Sequence, residues 1–135
     1  MAVNEIKDGE VVLARHATAE EWEKGGLNFY SQDEEFIQVG TWGYDGGKEL
    51  LAHAHNKVER TVNITQETLY IRKGAIKARI YNLKLELVAE WVANEGDIVI
   101  LMHGGHGYDI LEDGTQVLEV KNGPYVGADA DRVRF

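Results

Sequence analysis

Glu35 to Tyr44 read EFIQVGTWGY. Phe36, Gln38, Gly40, Trp42 and Tyr44 alternate with Ile37, Val39, Thr41 and Gly43. Period two is the spacing of a strand, whose successive side chains leave opposite faces. YDGGKE then supplies a turn, and KELLAHAH, Lys48 to His55, is expected as a second strand ending in two histidines. NKVERTVNITQ is polar and reads as a long loop or a ragged strand. Further strands are expected in ETLYIRKG, AIKARIYN, LELVAEWV, DIVILM, GYDIL and QVLEVK, with turns at KG, NEGD, HGGHG, EDGT and NGP. Many short strands with regular turns predict an all-β sandwich or barrel.

Upstream, VVLAR at 11–15 suits a short opening strand. In HATAEEWEKGG, Thr18 and Glu21 have capping-box spacing and Gly25 or Gly26 can end the turn, which predicts one short helix from about Ala19 to Lys24. At 135 residues the chain suits one domain.

Composition narrows the function classes. Asp plus Glu is 23 against 14 Lys plus Arg, a formal charge of −9. Nucleic-acid binders show the reverse balance because they neutralise phosphates, so nucleic acid and anionic membrane surfaces are not expected partners. The chain is 44% hydrophobic and 27% charged, and no apolar run approaches the roughly 18 residues a membrane helix needs. Cysteine is absent, which excludes disulfides, thiolate catalysis and Cys-ligated metal sites. MAVNEIKDGE has neither the basic segment nor the apolar core of an export signal, so a cytoplasmic location is expected.

The chemistry gathers at LAHAHNKVE, Leu51 to Glu59. On a strand, His53 and His55 would share a face and could hold one metal ion through a ring nitrogen each. A further ligand must come from elsewhere, with His106, Glu59 and Glu67 as candidates. His16 and His103 read as surface or turn residues.

Gly47, then His53-Ala54-His55, then Glu67 and Gly74 resemble the first motif of the cupin superfamily. Gly96-Asp97, the apolar strand after it and HGGHGY resemble the second, which ends in a metal-binding histidine. Eleven residues separate His55 from Glu67 where the family has three or four, and Glu59 sits at the family distance. Glu67 is preferred because Gly74 follows it at the family spacing and it opens a strand. Met102 replaces the usual proline, and the spacing to His106 is one residue short, which keeps His103 as an alternative. HAHNKVER, TQETLYIRKG and EVKNGPY are similar to a group of small bacterial single-domain cupins.

The resemblance implies one antiparallel jelly-roll barrel over 1–135, with an N-terminal arm and helix over about 1–34, the barrel over about 35–125 and a tail at 126–135. It implies one divalent transition metal (Fe, Mn, Ni, Zn or Cu) held by His53, His55, Glu67 and His106, and pairing as a homodimer. An open coordination position would suit a metalloenzyme of dioxygenase, isomerase or lyase type acting on a small polar or anionic metabolite. Glu67 or Tyr108 would move a proton, and Arg60, Trp42 and Lys121 are candidate substrate contacts. Glu119 and Lys121 share a face of the last strand, which Leu118 and Val120 opposite suggest is the outward one. The alternatives are a non-catalytic cupin binding a metabolite, sugar or metal, and a metal-free sugar isomerase or epimerase using His53 and His106 as acid and base.

Overall fold

The computed structural model describes residues 3–135, so Met1 and Ala2 of the expected N-terminal arm lie outside the described residues. The strands are β1 (Val3–Asp8), β2 (Val11–Ala17), β3 (Gly26–Phe29), β4 (Gly40–Gly43), β5 (Glu67–Lys73), β6 (Ala75–Tyr81), β7 (Leu87–Asn94), β8 (Ile98–Leu101), β9 (Gly105–Ile110) and β10 (Gln116–Lys121). A 3-10 helix spans Ala19–Lys24 and a single α-helical turn, α1, spans Ala128–Asp131. The fold is all-β and antiparallel, with sheets ordered β1-β2-β8-β5-β10, β7-β6-β9 and β3-β4.

β8 explains how the layers hold together. Ile98, Val99, Ile100 and Leu101 are all buried, so both faces of this central strand are covered. Val99 and Leu101 join Leu13, Leu69 and Ile71 of the same sheet with Ile76, Ile80 and Ala93 of the three-stranded sheet. Ile98 and Ile100 face the other way, onto Ala17, Ile37 and Met102, with Tyr30 and Val39 packed alongside. Cutting a fully buried Ile or Leu to Ala here should cost about 2–5 kcal/mol.

Polar groups fix the turns. Asp97, 5% exposed, accepts hydrogen bonds from the His16 imidazole at 2.8 Å and from the backbone N–H groups of Ala19 and Asn94, both at 2.9 Å. One carboxylate therefore ties β2, the 3-10 helix and the turn before β8. His16 is accordingly a buried residue of β2 whose ring lies 5.5 Å from Trp91, and the surface placement expected for it is corrected. The helix occupies the expected residues, but Thr18 makes no side-chain cap; Glu21 N–H donates to its backbone carbonyl instead. Gly74 joins β5 to β6 at φ +83°, where a Cβ would overlap Thr115.

Two strand expectations need correction. Only Gly40–Gly43 of the opening stretch is strand, paired with the unanticipated β3. Lys48–His55 is not a strand: the chain from Tyr44 to Gln66 has no regular structure, and every residue from 42 to 65 is exposed. A strand exists only where a neighbour takes up its backbone groups, and this segment has none among the described residues.

Candidate functional site

Three strands bring ionisable side chains together at one end of the layer between the sheets. Glu67 opens β5 and is 8% exposed; its register partner on β10 is Lys121, and Glu119 stands opposite Leu69. Cross-strand partners share a face. Leu69 belongs to the core and Val117 packs against it, so Glu119 and Lys121 point to the inner side. Leu118 and Val120, 57% and 51% exposed, form the outer face, which reverses the outward reading of Glu119 and Lys121.

His106 and Tyr108 reach the same place from β9. His106 Nε2 lies 2.8 Å from Glu67 Oε2, and the His106 and Tyr108 rings stack at 5.5 Å. Glu67 Oε2 is buried, and among the described residues this ion-pair contact is the polar neighbour the structure gives it. Tyr108 Oη is buried as well and is unpartnered. A small cavity of about 20 Å³, lined by Glu67, Met102, His103 and His106, adjoins the pair.

These neighbours set the protonation states. The adjacent His106 holds the Glu67 carboxyl below the usual carboxylate range against the effect of burial, and the Lys121 charge adds to it. Burial first, then the charges of Glu67 and Glu119, push the Tyr108 phenol far above its ordinary value. The site thus pairs an ionised carboxylate with a phenol that keeps its proton at physiological pH.

The other expected residues lie elsewhere. His53 and His55 are exposed, 5.1 Å apart between ring centroids, in the segment without regular structure. Glu59 and Arg60 share that segment, and the Arg60 guanidinium donates to the Val58 carbonyl at 3.4 Å. Trp42 stands 60% exposed on β4, 6.0 Å from Tyr44. The presumed metal ligands therefore form two pairs, His53 with His55 and Glu67 with His106, and among the described residues no three candidate ligands converge. Each pair is a chemically apt half of a site for a divalent transition metal, offering imidazole nitrogens and one ionised carboxylate.

A wider groove, about 650 Å³, lies away from this cluster, against Arg15, Tyr30 and Phe29. Arg15 is no free anion site there, because Glu35 takes its guanidinium at 2.7 and 2.8 Å and Glu5 at 2.9 Å. Among the described residues no helix is long and apolar enough to cross a membrane. Comparison with protein-family models, curated proteins and solved structures finds no match for this chain.

Proposed function

We propose that this chain is a metal-binding protein of the cupin type, a jelly-roll barrel in which His53, His55, Glu67 and His106 hold one divalent transition metal, and that it works as a mononuclear enzyme on a small polar or anionic metabolite. The observation that carries the reading is the Glu67–His106 pair: a buried carboxylate 2.8 Å from an imidazole, with one oxygen lacking a hydrogen bond, beside a small cavity. The H-x-H segment and the two facing antiparallel sheets support it. Assembly of the full ligand set requires residues 44–65 to move onto the cluster. A bound divalent ion would supply Lewis acidity and an open coordination position there.

The chain's own groups have distinct parts in that reading. Lys121, across from Glu67, offers a cation to an anionic substrate group. Tyr108 keeps its proton and can donate a hydrogen bond to a developing oxyanion. Glu67, ionised and buried, steadies the His106 ring.

A second reading has its own support. Glu67, His106, Tyr108 and Lys121 stand together without the exposed segment, an arrangement that suits metal-free acid–base chemistry on an anionic ligand.

Metal content by inductively coupled plasma mass spectrometry separates the two, using protein made without a metal-binding tag. Near-stoichiometric metal in the wild type, lost in His53→Ala, Glu67→Ala and His106→Ala but kept in Glu59→Ala, is expected. Protein that stays metal-free after incubation with Fe, Mn, Ni and Zn sinks the metal reading and leaves the second.

A further inference from the structure

Residues 44–65 form a loop anchored firmly at both ends. On one side Gly43 closes β4, and on the other Gln66 is 2% exposed. The Gln66 N–H donates to Asn122 Oδ1 at 2.6 Å, and its side-chain oxygen accepts from the N–H groups of Phe36 and Ile37 at 3.0 and 3.1 Å. Between these anchors, among the described residues, the loop forms no hydrogen bond to the rest of the chain until Ile64, whose carbonyl accepts from Asn122 Nδ2 at 3.0 Å, and Thr65, which reaches Asp131. His53 lies ten residues past Gly43 and His55 eleven before Gln66, so the pair sits at the midpoint of the loop. At full extension that midpoint stands about 35 Å from its roots.

The loop has the character of a strand awaiting a partner. Leu50, Leu51 and Val58 are 51%, 80% and 59% exposed, and the cross-strand partners Trp42 and Leu27 on β4 and β3 are 60% and 56% exposed. A chain stable alone seldom leaves so many large apolar side chains of one region in water. The same chain also carries a vacant edge. β9 pairs with β6 on one side, and among the described residues no strand pairs with the other. That edge runs beside the site where Glu67 Oε2 meets His106 Nε2 and Tyr108 Oη has no hydrogen-bond partner among the described residues.

We infer that two copies of this chain exchange these loops, the 44–65 loop of each adding a strand to the free β9 edge of the other and bringing its His53 and His55 to the other's Glu67 and His106. Among the described residues no hydrogen bond ties the loop's midpoint to its own body, and the free β9 edge is present once per chain, so reciprocal exchange closes a two-fold dimer with both β9 edges satisfied. The site would then be composite, each copy supplying half. Exchange rests on the loop and the edge and does not require a metal.

The absence of cysteine makes the test clean. Ala54→Cys and Asp109→Cys, placed on the loop and on β9, would be co-expressed as two single variants and treated with a short bis-maleimide in chelator. A covalent dimer on a denaturing gel, far stronger than with either variant alone, is expected. No dimer overturns the inference, whether the Ala54→Cys/Asp109→Cys double variant links within one chain or nowhere. Where the wild type carries metal, co-expressing His53→Ala with His106→Ala should restore about a quarter of its content, since half the dimers are mixed and each has one intact site. Metal in the wild type without restoration also refutes exchange, whereas a metal-free wild type that still cross-links refutes only the proposed function.

Discussion

Asp97→Ala removes the acceptor that holds three elements together. It strips hydrogen bonds from the His16 imidazole at 2.8 Å and from the Ala19 and Asn94 N–H groups at 2.9 Å. Each buried group left unsatisfied costs about 1–3 kcal/mol, with the exposed Asn94 at the low end because water can reach it. The sum is about 3–5 kcal/mol, a large share of the roughly 5–15 kcal/mol that keeps a domain folded. In urea titrations followed by tryptophan fluorescence, that is a fall in midpoint of about 2 M for an m-value of about 2 kcal/mol/M. Asp97→Asn keeps one acceptor and should lose less. His16→Ala and the double variant complete a cycle whose coupling should exceed about 1 kcal/mol. A midpoint shift under about 0.5 M for Asp97→Ala would refute the reasoning, because water would then replace the carboxylate at little cost.

Three further outcomes follow from the same physics. Glu67 has a lowered carboxyl pKa in the folded protein, so its ionised form adds stability above the ordinary carboxylate value and loses it as pH falls through the depressed one. The stability gap between wild type and Glu67→Gln, measured in urea, should therefore shrink between about pH 5 and pH 3; a constant gap contradicts the assignment. Tyr108 is raised, so it should stay neutral when ordinary phenols ionise near about pH 10. The tyrosinate absorbance of wild type minus Tyr108→Phe should be near zero at about pH 11 and appear only on alkaline unfolding, whereas a difference already present while the protein is folded would show an exposed phenol. Gly74→Ala forces a Cβ into Thr115 at φ +83° and should lower stability by about 2 kcal/mol or more, read as a lower Tm.

The parts of the fold legible in the sequence are those with strong local signals. QVLEVK is β10 residue for residue, ETLYIRKG and AIKARIYN are β5 and β6 with Gly74 between them, and the short helix occupies Ala19–Lys24. β1 and β3 carry no local signal, because VNEIKD and GLNF have too few apolar residues to show a period, and pairing with β2 and β4 sets them. KELLAHAH has the period of a strand yet no partner edge beside it, and periodicity cannot report a missing neighbour. His16 and Asp97 are 81 residues apart, a contact no local pattern encodes. Of the candidate site, Glu67, His106 and Tyr108 stand out in the sequence by motif and spacing, and Lys121 joins them only through its register with Glu67. The face of Glu119 and Lys121 was misjudged because Leu118 and Val120 resemble a core stripe, whereas they lie on the exposed outer face of an edge strand.

The claim that matters most is that His53 and His55 join Glu67 and His106 around one ion. Pulsed electron paramagnetic resonance on protein loaded with one equivalent of Cu(II) counts the coordinated imidazoles directly. Three imidazoles in the wild type, falling to one in the His53→Ala/His55→Ala variant, is the expected result. A single imidazole in both proteins would contradict it, leaving Glu67 and His106 as a site to which the H-x-H segment never comes.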